Sequence, residues 1–186
     1  MSGKLAEILL RIAARVAADG GAGVRQELEA ALRAAAPFDA GELVYLRAQG
    51  ERESFQLGGS EGELLGRDLL AHVLDHGAPH RIDDLRDAAP FPETLERLRR
   101  QGLRSALVLP FRFEEPGLLP VTGALAVARA HGWAFVGASL PFLGPLAGMA
   151  GLALAQSLRL SALESGTALS GVPARPGRRS RGKPLR

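Results

Sequence analysis

GLRSALVLPFRF, residues 102–113, is the stretch that decides the fold. Ser105 to Phe113 is an apolar run bounded by turn signals, and it reads as the longest strand of the chain. Glu114 to Pro120 reads as a loop, and Val121 to Arg129 as a strand that pairs back. Upstream, Pro92 to Gln101 reads as a short helix, with proline in its first turn and Gly102 at its end. Pro79 to Leu85 reads as a short strand ending in Asp83-Asp84. Before it, a helix ends near His76, with Leu65, Leu69, Leu70, Val73 and Leu74 as its buried face and Gly77 as its left-handed C-terminal residue. Ser60 and Glu63 have capping-box spacing ahead of that helix. Glu42 to Ala48 and Glu53 to Leu57 flank Gln49-Gly50 as a hairpin. Lys4 to Ala18 and Gly23 to Ala36 carry helical apolar stripes, and a last helix runs from about Ser139 to Leu163. The order α-α-β-β-α-β-α-β-β-α, with helices at both ends of an antiparallel sheet, is an α+β pattern.

Four segments carry a resemblance to a known family. They are DAGELVYL (Asp39 to Leu46), LLAHVLDHGAPHRIDDL (Leu69 to Leu85), GLRSALVLPFRF (Gly102 to Phe113) and GALAVAR with the aromatic Phe135 downstream. In this order, over about Leu5 to Leu163, they resemble the GAF domain family. The resemblance implies a PAS-related antiparallel sheet of about five to six strands. N- and C-terminal helices would cover one face, and short helices and loops the other. It assigns residues 1–165 to one GAF domain and leaves residues 166–186 as a tail. It also implies a sensory or regulatory module that binds a small molecule, dimerises and signals in trans to a partner protein. The alternative is a ligand-free scaffold for dimerisation and protein–protein contact.

The charge divides along the same boundary. The formal net charge is +3, from 23 Lys and Arg against 20 Asp and Glu. Six of those bases, and no acid, lie from Gly166 onward: Arg175, Arg178, Arg179, Arg181, Lys183 and Arg186. Residues 1–165 therefore hold 17 bases against 20 acids, a mildly acidic body followed by a basic tail. The tail is rich in Pro, Gly and Arg and nearly free of large apolar residues, so it is expected to be disordered. Weak contact with nucleic acid or an anionic surface would come from there. It has no aromatic residue for stacking on bases.

What is missing narrows the chemistry. The chain has no cysteine, which excludes thiol catalysis, thiolate metal sites and thioether-linked chromophores. That removes the chemistry of the family's bilin photoreceptors and sulfoxide reductases. It also has no asparagine, so the Asn-Lys-Phe-Asp-Glu signature of cyclic-nucleotide-binding members is absent. No nucleophile triad or phosphate-binding glycine motif stands out, and the chain is read as a non-enzyme with no cofactor beyond an unidentified small molecule. The bias of Arg over Lys is read as bacterial. Ala130 to Leu158 lacks Asp, Glu, Lys and Arg, but five glycines and two prolines favour a buried helix over a membrane span. With Arg11 and Arg15 interrupting the apolar N-terminal stretch, no signal peptide is read, and the expected compartment is the cytoplasm.

Candidate site residues follow from strand alternation. On the long strand Ser105, Leu107 and Leu109 alternate with Ala106, Val108 and Pro110; on its neighbour Ala124 and Ala126 alternate with Leu125 and Val127. One set faces the end helices and the other a pocket. Small residues Ala124, Ala126 and Ser105 would leave room for a ligand beside Phe91, with Arg81, Asp84, Arg104 and Ser105 as polar contacts at the rim. In the scaffold alternative, Phe91, Leu95 and Leu98 pack down and fill that room. Asp84, after the short strand, is expected to cap a loop. His72 and His76 share a helix face, while His80 leaves along a strand, so no metal site is expected. Leu5, Ile8, Leu9, Ile12 and Val16, with Leu146 and Met149, are the expected homodimer interface.

Overall fold

The computed structural model describes residues 24–46, 50–58, 62–114, 120–135 and 143–153. The helix expected at Lys4 to Ala18, most of the last helix and the basic tail lie outside the described residues.

The order is α1 (Val24–Ala35), β1 (Ala40–Leu46), β2 (Arg52–Gly58), α2 (Arg67–His76), β3 (His80–Ile82), a 3-10 turn (Leu85–Ala88), α3 (Pro92–Arg100), β4 (Ser105–Phe113) and β5 (Val121–Arg129). Residues 143–153 are helical and are called α4. The strands form one antiparallel sheet in the order β2-β1-β5-β4-β3. The chain is thus α+β, as expected.

Period-two alternation sends each strand's side chains to two faces, and both faces are buried. One face carries Leu43, Tyr45, Leu107, Leu109, Phe111, Leu125 and Val127 under Leu28 and Leu32 of α1 and Leu143, Leu146, Ala147 and Ala150 of α4. The other carries Val44, Ala106, Val108, Ala124, Ala126 and Ala128 under Leu69, Leu70 and Val73 of α2, Leu98 of α3 and Phe91. This double burial explains why β4 and β5 read as apolar runs rather than as alternating patterns. Gly123 of β5 lies opposite Tyr45 of β1: a Cβ there would lie 2.2 Å from the Val44 carbonyl oxygen and 2.6 Å from the Phe111 ring.

The start of α2 differs from expectation. The helix begins at Arg67, not near Ser60, and Gly66 at its N-cap offers no side chain. Leu64 and Leu65 precede it outside any helix or strand, with both backbone N–H groups donated to Glu42 Oε2 of β1, at 2.8 and 2.9 Å. The cap comes from a neighbour. Glu93 of α3 accepts the Arg67 N–H at 2.9 Å, Thr94 Oγ1 accepts the Gly66 N–H, and Asp68 of α2 accepts the Glu93 N–H at 2.7 Å. Two helix starts thus satisfy each other's free N–H groups, and acids at both favour the positive helix ends. Glu63, expected in a capping box, instead pairs with Arg97 and Arg52. Expected strand Pro79 to Leu85 shortens to His80–Ile82, because the chain turns into the 3-10 segment at Asp84.

Candidate functional site

The expected rim residues separate into two places. Asp84 caps the 3-10 turn: its Oδ1 accepts the Arg86 N–H, while Asp87 accepts the Asp84 N–H at 3.0 Å. Its other oxygen accepts from the Arg104 guanidinium at 2.7 Å. The bonded Arg86 amide, then Arg104, hold its carboxyl below the ordinary 3.8. Arg81 pairs with Asp83 at 2.7 Å. Arg81, Asp84 and Arg104 therefore have partners at one end of the sheet, where Asp83 also accepts the Trp133 N–H through its carbonyl oxygen at 2.6 Å. Trp133 has φ 60°, an uncommon conformation for a bulky residue, and is 65% exposed.

Ser105 does not join Ala124 and Ala126. It shares parity with Leu107 and Leu109, so it projects to the α1/α4 face, and its hydroxyl donates to the His131 carbonyl at 2.8 Å. Ala124 and Ala126 do face the α2/α3 side. They are 0% and 1% exposed, in one apolar cluster with Leu69, Val73, Phe91 and Leu98, and Leu95 packs against it. Among the described residues, side chains occupy the room those alanines were expected to leave.

A recess opens elsewhere. Strand β3 pairs only with Ala106, Leu107 and Val108 of β4. Beyond Val108, β4 continues past the end of β3, and Pro110 stands there, where a missing N–H costs no ladder bond. The C-terminal turn of α2 passes over this stretch. Between them lies a groove of about 270 Å³, lined by Leu74, Asp75, His76, Gly77, Pro110, Phe111, Arg112 and Thr122. Gly77 turns the chain away with φ 61°, ending the helix beside the groove.

Next to this groove the fold gathers three histidines. The His72 ring lies 4.2 Å from that of His76 and 5.2 Å from that of His80, centroid to centroid. Phe91 packs on His72 and His80, each at 5.1 Å. Partial burial, then the nearby charges of His72 and His76, push the His80 imidazole below its ordinary 6.5. In the sequence His80 departs along a strand; in the fold the Gly77-to-Pro79 turn swings that strand back under α2. Neither the return of His80 to this pair nor the role of Arg112 and Thr122 as groove walls had a signal in residue spacing. Pro110, which marks an open edge, was the one local cue.

Of the expected dimer contacts, Leu5, Ile8, Leu9, Ile12 and Val16 lie outside the described residues. Leu146 is buried against its own sheet, and Met149 packs partly against the same core.

No family model matches the chain, and no curated protein matches it. Solved structures do. The GAF domain of a candidate sensor histidine kinase from Pseudomonas syringae pv. tomato is 16% identical, with a TM-score of 0.58, over 89% of this chain and 94% of that one. A GAF3 domain from Synechocystis sp. PCC6803, solved in its photoproduct state, is 15% identical with a TM-score of 0.57, over 76% and 98%. The free methionine-R-sulfoxide reductase from Neisseria meningitidis, solved with its substrate, is 18% identical with a TM-score of 0.57, over 84% and 91%. The fold of this chain is that of GAF domains. Among the described residues, no helix is long and apolar enough to cross a membrane.

Proposed function

We propose that this chain is a sensory or regulatory module of the GAF type that binds a small polar molecule and acts on a partner protein in trans. The observation that carries the reading is the groove at the end of α2. It offers a carboxylate (Asp75), an imidazole (His76), a guanidinium (Arg112, which also pairs with Glu114 at 2.6 Å) and a hydroxyl (Thr122) beside the apolar side chains of Leu74 and Pro110. A few convergent polar groups beside apolar side chains suit a small ligand. Its likeness to sensor GAF domains supports the same reading. One structural neighbour is an enzyme, but this sequence has no cysteine for thiol redox chemistry, and we read the chain as a non-enzyme.

A second reading is a ligand-free scaffold for dimerisation and partner contact. It is favoured by the packed face over Ala124 and Ala126. Native mass spectrometry of protein purified from its own host separates the two. A reproducible added mass that Arg112→Ala removes supports the sensor; a bare chain supports the scaffold. Both readings include a cytoplasmic homodimer joined through the N-terminal helix, residues 1–165 as the domain and a disordered basic tail. Sedimentation at micromolar concentration giving about 20 kDa, the 19.6 kDa of one chain, would sink the dimer.

A further inference from the structure

We propose that His72 and His76 form a binding site for a divalent transition-metal ion of the zinc class, with His80 turning in as the third ligand. The site goes beyond the small-molecule reading and does not rest on it, although His76 also borders the groove.

The two histidines stand four residues apart on α2, so their side chains leave the same helix face, the spacing by which helices hold zinc. Their rings lie 4.2 Å apart. His76 Nδ1 is 2.7 Å from the His72 carbonyl oxygen. A carbonyl only accepts, so Nδ1 must carry the proton, and the Nε2 lone pair is left for an ion. A ligating histidine is commonly held in this way, by donating its other N–H to a backbone carbonyl. His80 stands edge-on to His72 at 5.2 Å, and Phe91 walls both rings with apolar surface. Imidazole nitrogens select zinc, nickel and copper over magnesium and calcium, which prefer oxygen.

As the rings stand, those of His72 and His76 are tilted by 35° to each other and that of His80 is edge-on to His72, and no group of three His, Cys, Asp or Glu side chains among the described residues forms a coordination set. The pair is therefore the primary site, and rotation of the part-exposed His72 and His80 rings brings in the third nitrogen. Three histidines would leave one tetrahedral position open.

Isothermal titration of the full chain with zinc chloride, in a non-chelating buffer at neutral pH, tests the site. One ion should bind per chain in the micromolar range. His72→Ala and His76→Ala should each weaken binding by at least about tenfold. His80→Ala should weaken it as well, and His131→Ala should leave it unchanged. Circular dichroism of each variant reports whether it is folded. A second measurement needs no variant: in ¹H–¹⁵N spectra, zinc should shift the ring nitrogens of His72, His76 and His80 and leave those of His131 in place. Absence of binding to the wild-type chain at roughly 1 mM zinc, or unaltered affinity in His72→Ala and His76→Ala, overturns the site. Unshifted His80 nitrogens overturn the third ligand.

Discussion

Glu42 in β1 and Arg52 in β2 form a buried ion pair, with 2.9 Å between Oε1 and the guanidinium Nη2. The carboxylate is fully buried, and its second oxygen takes the N–H groups of Leu64 and Leu65. Arg52 also donates to the Leu65 carbonyl at 2.8 Å. Two residues of one hairpin thus tie the approach to α2 onto the sheet. Burying a carboxylate is costly unless its oxygens are satisfied, and here each has a donor.

Removal of one partner should leave the other charge buried. Arg52→Ala and Glu42→Ala are each expected to cost about 3 kcal/mol or more in urea unfolding. The double variant should cost less than the sum of the two, because it leaves no orphaned charge. Strict additivity would show that the pair is not a unit.

Gly66 should tolerate no side chain. A Cβ at that position would lie 2.4 Å from Asp68 Oδ1, 2.5 Å from Glu93 Cβ and 2.6 Å from the Thr94 nitrogen. Gly66→Ala should therefore part the two helix starts that cap each other. The expected loss is about 1–3 kcal/mol, the range for overpacking, measured as a lowered Tm. An unchanged Tm would mean that the α2–α3 contact adjusts freely.

Ala126→Leu tests whether the α2/α3 face is packed or hollow. In a packed core the added volume should cost about 1–3 kcal/mol. In an empty chamber the same substitution would be neutral or stabilising. The buried cluster over Ala126 predicts the loss, read from the urea midpoint.

Asp84 should make stability fall in acid. The Arg86 amide and Arg104 lower its carboxyl below 3.8 in the folded chain. The unfolded chain therefore binds a proton first. Its stabilising effect is complete above the ordinary value and is lost as the pH falls through the lower, folded one. The gap in urea midpoint between wild type and Asp84→Asn should be present at neutral pH and shrink below about pH 4. A gap of constant size would show that the carboxylate's charge is not what stabilises the turn.

Much of the fold was legible because it rests on local rules. Strands β4 and β5 appear over the spans expected from their apolar runs and flanking turns. Asp84 caps its turn as the Asp-Leu pair after a short strand suggested. Ser60 and Glu63 misled because a capping-box spacing competes with a tertiary cap: Glu93 and Thr94, nearly thirty residues downstream, reach the α2 terminus first. Small size alone puts Ser105 on the pocket side, but strand parity places it with Leu107 and Leu109, where its hydroxyl reaches the His131 carbonyl.

The sequence by itself determined the order of the described elements, the α+β class, the exclusion of cysteine chemistry and the separation of an acidic body from a basic tail in charge. These depend on residue identity, on 3.6- and 2-residue periods and on charge, all of which are local. Only the tertiary structure decided which face the alanines meet, that Leu and Phe side chains occupy it, and that the groove opens where β4 outruns β3. It also decided that His80 returns to His72 and His76. Those outcomes depend on strand lengths and on a turn at Gly77, which set distances between residues that no spacing along the chain encodes.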